Sequence, residues 1–459
     1  KMYKINSRKS YLRNKEKVLH DTHLRYKKNK KHYLDLNRIW RRKNKDILST
    51  KRKQRLKSDE NYALKVRLRG RLRHVFKGNR KSSTTKEYLG ISEWGISNNR
   101  HGATTENTKR YIDFASENNI DAVLIEGWNT GWEDWGKPNA FDFVTPYPDF
   151  DIHKVVRYAK EKGVDIIMHH ETSAATGTYE KQQDTAYALM QKYGMHAVKS
   201  GYVGKILPKG EYHHGQYMVN QYNNAAIRAA KYEVAVNAHE PIKATGLRRT
   251  YPNIISREGL RGQEFNAWAE DGGNPPEHLP IVTFTRMLAG PIDFTPGIFN
   301  IKFDEFKKDN QVNTTLAQQL ALYVVIYSPI QMAADLVEHY EANPEPLQFI
   351  KDVGVDWEDT KVLNGKVGDY VTIARKERDT GDWFIGGITD ENTVSHQLIF
   401  DFLEDNQTYE AILYRDGDNA HWNDNPLAIE IEKMKLNKTS KLTVNLAKGG
   451  GFAMRIKKK

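Results

Sequence analysis

Between residues 104 and 335 the chain alternates short apolar runs with amphipathic, capped segments, and this alternation constrains the fold more than any other feature. DAVLIEGW (121–128), VDIIMHHET (164–172), HAVKSGYVG (196–204) and VAVNAHE (234–240) each read as a buried strand. TTENTKRYIDFASENN (104–119), 152–162, 179–193 and 217–233 read as the helices between them. Thr104 or Thr105 is an N-cap, and Gly163 and Gly194 are stops. YLGISEW (88–94) supplies a first strand. Residues 256–264 supply a short strand and turn, 281–297 a strand with an exposed loop, 314–327 a helix and 329–335 a last strand. Eight strand–helix units over about 250 residues predict a (β/α)8 barrel. After Val353 the helical period gives way to alternating runs such as DYVTIARKE, DWFIGGITD and TYEAILYRDG, separated by Gly, Asn and Asp turns. That pattern predicts an antiparallel β-sandwich. The expected organisation is therefore a basic arm over 1–86, helical or disordered, a barrel over 87–350 and a sandwich over 351–459.

Charge separates the arm from the rest. Residues 1–86 hold 31 Lys and Arg against 6 Asp and Glu, whereas the remainder holds 40 against 52. A basic, Tyr-punctuated arm is the composition of a nucleic-acid contact, because Lys and Arg displace counterions from phosphates; it is equally that of a solvated tail. RLRGRLRHVFKGNRKSSTTKEYLG resembles the spacer preceding HNH-type nuclease domains in some phage proteins, but the His-containing metal motif expected after it is absent. The chain has no Cys, which excludes a disulfide framework or thiolate metal site. The apolar stretch Leu316–Ala334 is interrupted by Gln318, Gln319 and Pro329, so it reads as a buried helix and strand rather than a membrane span. No apolar signal-peptide region is visible at the N-terminus.

Chemistry gathers at the expected C-terminal ends of the strands, where parallel barrels carry their active sites. Glu126, Glu171, Lys199, Glu240, Glu264 and Asp335 fall there, with Trp128, Trp132 and Trp135 in the second loop and His169, His170 and His239 flanking carboxylates. Paired carboxylates flanking a glycosidic bond, with aromatics to stack on pyranose rings, suit sugar chemistry. A metal centre built on HHE competes with this reading. Adjacent strand residues point to opposite faces, however, so His169 and His170 cannot chelate together.

The motifs EGWNTGWEDW, HHET, VKSGYVG, NAHEPIKATGLRRTYPN, REGLRGQEFNAW and YSPIQMAADL stand in order, and with them the chain resembles glycoside hydrolase family 97 over roughly residues 88–459. The resemblance implies a Ca²⁺-dependent, exo-acting, inverting α-glucosidase acting on gluco-oligosaccharides. It implies Glu264 as general acid, Glu171 and Glu240 as the carboxylates that activate water, and Glu240, Glu258 and Glu264 as Ca²⁺ ligands. Lys199, His239, His170 and Trp128 are the implied sugar contacts. Calcium takes six to eight oxygen ligands, which suits clustered Glu side chains. Inversion needs carboxyls about 6.5–9.5 Å apart, leaving room for water. The retaining branch resembles K-x-D at the fourth strand; here the triplet is Lys199-Ser200-Gly201, without the nucleophile. Family members are typically periplasmic or exported, and they carry an N-terminal β-sandwich domain in whose place the basic arm stands. Three other readings stay open: a catalytically impaired carbohydrate-binding relative, an α-galactosidase of the same family, and a fusion whose arm binds nucleic acid.

Overall fold

The computed structural model describes residues 81–84, 102–303 and 309–458. The basic arm up to residue 80 and the strand expected at 88–94 lie outside them. Seven strands form a parallel sheet in the order β6-β5-β4-β3-β2-β1-β7. They are β1 (Lys81–Thr84), β2 (Ala122–Ile125), β3 (Asp165–Glu171), β4 (Ala197–Gly201), β5 (Ala235–Ala238), β6 (Ile254–Arg257) and β7 (Gln331–Ala333). The helices between them form where the periodicity predicts: α1 (Thr105–Glu117), α2 (Ile152–Lys162), α3 (Thr176–Tyr193) and α4 (Gln216–Lys231). The Thr104 hydroxyl accepts the Asn107 N–H, the Asp151 carboxylate accepts the Lys154 N–H, and Gly163 and Gly194 adopt the left-handed conformation that ends α2 and α3.

Side-chain alternation gives the sheet two faces. Ala122, Leu124, Ile167, Ala197, Ala235, Ile255, Ile330 and Met332 pack together on the inner face. Val123, Ile125, Ile166, Met168, Val198 and Val236 point outward into the larger cluster shared with the helices. The same parity puts Glu126, His169, Glu171, Lys199, Asn237 and His239 on the inner side. Beyond β6, Asp293 N–H donates to the Arg257 carbonyl at 3.0 Å and Ile292 N–H to the Tyr327 carbonyl at 2.9 Å, so residues 292–293 lie against the free edge of β6.

The strand expected from residue 281 begins instead as a helix, α5 (His278–Phe284). IVTF carries β-branched and aromatic residues, but Leu279 and Val282 are three residues apart and share one helical face, packed with Leu322 and Val325. Those two belong to α6 (Leu316–Val325), whose ten residues are all buried. Burial contributes roughly 1.5–3 kcal/mol for each large apolar side chain. The far side of α6 packs against the C-terminal region.

That region is antiparallel. A six-stranded sheet runs in the order β13-β12-β15-β10-β9-β8, and β11 pairs with β14. The strands are β8 (Trp357–Lys366), β9 (Tyr370–Glu377), β10 (Trp383–Thr389), β11 (Val394–Ile399), β12 (Tyr409–Asp416), β13 (Ile429–Leu436), β14 (Lys441–Leu446) and β15 (Gly451–Lys458). Leu398 and Val444 of the pair face Ile385, Leu413 and Met454 of the large sheet, making two layers. Polar ties hold α6 to it: Thr315 Oγ1 donates to Asp416 Oδ1 at 2.6 Å, Gln318 Nε2 to the Thr389 carbonyl at 3.0 Å and Arg375 Nε to the Val324 carbonyl at 2.6 Å. Among the described residues no helix is long and apolar enough to cross a membrane.

Candidate active site

The carboxylates converge because β3, β4, β5 and β6 are parallel neighbours and end at one edge of the sheet. Glu171 is the last residue of β3. Its Oε1 accepts backbone N–H bonds from Ser173 (2.7 Å), Thr172 (3.0 Å) and Val203 (3.3 Å). Its Oε2 lies against Gly201, the last residue of β4: a Cβ there would sit 1.8 Å from this oxygen. Glu240 follows β5 with φ +40°, a left-handed conformation that costs a non-glycine residue energy. Four hydrogen bonds hold it. The Tyr222 hydroxyl on α4 donates to the carbonyls of His239 (3.2 Å) and of Glu240. Tyr202 N–H donates to Glu240 Oε2 at 2.7 Å, and Glu240 N–H donates to Glu258 Oε2 at 3.1 Å. Glu258 in turn closes on Glu264: ligand atoms of His239, Glu258 and Glu264 all lie within 4.8 Å of one another.

Burial sets the electrostatics. It pushes the Glu171 carboxyl well above the ordinary range, and the neighbouring Glu240 charge adds to this against the backbone N–H bonds. Burial also raises Glu240; the Glu258 charge reinforces the shift, while His239, the Tyr202 N–H and Lys199 oppose it. Asp293 goes the other way. Burial pushes it up, but the hydrogen bond from His239, the charge of Lys199 and a bond from Asn237 outweigh that and hold it below the usual carboxylate range.

Of the residues expected from sequence, Glu171, Glu240, Glu258, Glu264, Lys199 and His239 are brought to this edge. In β-sheet register Lys199 lies between His169 and Asn237, all three on the inner face. Two expected sugar contacts are elsewhere. His170 has no exposed surface and points outward, its Nδ1 3.1 Å from the Tyr179 hydroxyl and its ring stacked on Tyr187, both on α3. Burial holds its imidazole down at about 3, so it is neutral. Strand parity is the reason: the mouth-facing member of the pair is His169. Trp128 is likewise fully buried; its Nε1 donates to the His169 carbonyl at 2.9 Å and its ring packs on Phe150. Aromatic surface is offered instead by Trp132, which stacks on His169 at 6.1 Å and adjoins the 43 % exposed Trp135. Asp335 is also not part of the cluster. It caps backbone N–H groups of Phe299, Asn300 and Leu336 and bonds His339. The sequence reading missed Asp293, 54 residues from its partner His239; its one local signal is an acid inside the apolar run PIDFTP.

Two carboxylates from the β6 end, Glu258 and Glu264, supply hard oxygen donors at one point, which fits a cation such as Ca²⁺. The imidazole of His239 is not a ligand calcium prefers, and its Nε2 is already committed to Asp293 at 2.7 Å.

A parallel α/β sheet with clustered acids and an aromatic wall at its C-terminal strand ends defines the broad class of sugar-processing α/β folds. Comparison with known proteins sharpens this. The sequence model described as Glycoside hydrolase 97 matches residues 84–260, and that described as Glycosyl-hydrolase 97 C-terminal, oligomerisation, matches residues 356–457. The chain belongs to glycoside hydrolase family 97. It is 31 % identical over 360 residues to a retaining α-galactosidase of Bacteroides thetaiotaomicron, covering 78 % of this chain and 51 % of that protein. It is 27 % identical over 291 residues to a probable retaining α-galactosidase of Streptomyces bingchenggensis, covering 62 % of this chain and 41 % of that one. The structure resembles a family 97 enzyme of Pseudoalteromonas sp. strain K8 in complex with acarbose, at 47 % identity and TM-score 0.79, over 84 % of this chain and 61 % of the other. A variant of that enzyme in complex with panose matches at 47 % identity and TM-score 0.78, with the same coverage. The chain thus spans about half the length of the curated relatives it matches.

Proposed function

We propose that the chain is the catalytic portion of an exo-acting, inverting α-glucosidase that hydrolyses gluco-oligosaccharides. One observation carries the inverting assignment: Glu171 Oε2 fills the space beside Gly201, at the strand end where a retaining relative is expected to hold its nucleophile. Glycine has no side chain to attack with, and a side chain there would displace Glu171. In this reading Glu264 donates a proton to the leaving glycosidic oxygen. Water, held by Glu171 and Glu240, attacks the anomeric carbon from the opposite face as the C–O bond breaks, giving up one proton to one of the two carboxylates. Trp132 and Trp135 offer faces for the sugar ring, and Lys199 and His239 offer polar contacts.

Calcium would be held by Glu258 and Glu264 with Glu240 beside them. When bound it would supply fixed positive charge that favours the ionised form of Glu240, while Glu264 would meet it through one oxygen and keep its proton on the other. The α-glucoside assignment draws on the acarbose and panose complexes of the 47 % identical enzyme. The curated relatives named for retaining α-galactosidase activity favour a second reading, hydrolysis of α-galactosides, but the lack of a side chain at Gly201 speaks against a retaining mechanism in this chain. We propose further that the parallel sheet closes as a (β/α)8 barrel, with residues 292–293 in the position between β6 and β7. The bonds to Arg257 and Tyr327 support this. The test is hydrolysis of paired chromogenic α-glucosides and α-galactosides with and without calcium. Calcium-stimulated release from the glucoside is expected; preference for the galactoside would overturn the substrate assignment.

A further inference from the structure

The Asp293 carboxylate is 1 % exposed, touches none of the four glutamates in any hydrogen bond above, and is fixed by its own backbone bond to Arg257. Its Oδ2 accepts two donors from the β5 end: Nδ2 of Asn237 at 2.5 Å and Nε2 of His239 at 2.7 Å. An ionised carboxylate this dry is costly unless its lone pairs are met, and these donors meet them. The consequence falls on His239. Giving Nε2–H to Asp293 fixes the plane of the imidazole, and a neutral ring so held has one tautomer, with its other nitrogen an acceptor. That nitrogen, Nδ1, lies 3.7 Å from Glu258 Oε2, beyond hydrogen-bond length, so it faces the carboxylate cluster without closing on it. A hydroxyl oxygen placed beside the pair can lie within hydrogen-bond reach of both.

We propose that Asp293 is a positioning residue: it locks the His239 ring by Nε2 so that Nδ1 is presented as an acceptor to the hydroxyl of a bound sugar. Asn237 holds the same Asp293 oxygen from the side and keeps the lock from rotating. Such an outer partner, orienting an imidazole that meets the ligand, typically governs affinity or activity 10- to 100-fold.

The kinetic half of the test rests on the hydrolase reading; the spectroscopic half does not. In a double-mutant cycle on the full chain, Asp293→Ala and His239→Ala should each cut kcat/KM at least 10-fold. The double variant should be within about 2-fold of His239→Ala, because residues that act as a unit are not additive. If Asp293→Ala folds poorly, Asp293→Asn takes its place in the cycle. Additive losses, or a lower Tm with unchanged kcat/KM, would overturn the proposal. Independently of any activity, ¹⁵N spectra of the ring, assigned by the signal lost in His239→Ala, should show Nε2 protonated and Nδ1 bare in the unsubstituted protein. The Asp293 variants should lose this fixed pattern. A wild-type ring protonated at Nδ1, whether or not Nε2 is bare, would overturn it even if no hydrolysis were seen.

Discussion

Glu171 Oε2 and Gly201 compete for one volume: a Cβ on Gly201 would lie 1.8 Å from that oxygen. Gly201→Ala should therefore swing Glu171 out of its cradle of Thr172, Ser173 and Val203 N–H groups. We expect kcat to fall about 100-fold or more, the scale of losing a general base, with a stability cost of about 1–3 kcal/mol for overpacking. Gly201→Asp should not create a retaining enzyme, because the new carboxylate and Glu171 cannot both be seated. Steady-state kinetics with thermal melts decide this; wild-type kcat in Gly201→Ala would contradict it.

Tyr222 holds Glu240 in its left-handed conformation through the carbonyls of residues 239 and 240. Tyr222→Phe removes those bonds and little volume. The expected outcome is a stability loss of about 1 kcal/mol, typical of one hydrogen bond. A roughly 10-fold drop in kcat should accompany it, about 1.4 kcal/mol of barrier. Unfolding curves and kcat measured together would test this, and a melt that drops while kcat stays put would show Tyr222 to be purely structural.

Much of this arrangement was legible in the sequence and some was not, for identifiable reasons. Helix α1 carried a cap at Thr104, α2 and α3 carried stops at Gly163 and Gly194, and the glutamates stood at or just after strand ends, where parallel topology brings them together. His170 and Trp128 were misplaced because a motif gives proximity but not facing: one residue of register separates His169 at the mouth from His170 behind the strand. Strand β8 gives no alternating signal because WEDTKVLNGK is mostly polar, with Val362 and Leu363 adjacent, and its pairing with β9 shifts register twice. Asp293 was invisible because its partners come from β5 by tertiary folding alone.

Chelation gives a third test. If Glu258 and Glu264 hold Ca²⁺, removing divalent ions should lower Tm, and calcium at 100 times its Kd should restore about 2.7 kcal/mol. Glu258→Gln should blunt that response. Magnesium should substitute poorly, since it demands a tighter octahedral shell. A melting temperature indifferent to chelator and calcium would remove the cation from the account.

Asp416 predicts a pH dependence far from the site. Burial pushes its carboxyl up to about 6 from 3.8, against bonds from Thr315, Ala447 and Gly451. The folded state thus binds the proton more tightly than the unfolded one. Stability from this group is greatest below about pH 4 and is lost as pH rises to about 6, by roughly 3 kcal/mol. Asp416→Asn keeps the shape and cannot ionise. Its stability relative to wild type should rise across that window, as read from denaturant unfolding at pH 4 and pH 7. A constant difference would mean that Asp416 does not titrate there.

The central claim is that two carboxylates activate water and no nucleophile lies beneath the anomeric carbon. Proton NMR of the first sugar released from an α-glucoside, recorded before mutarotation, tests it most directly. β-Glucose should appear first; α-glucose first would rule out inversion and would make Glu171 or Glu240 the nucleophile.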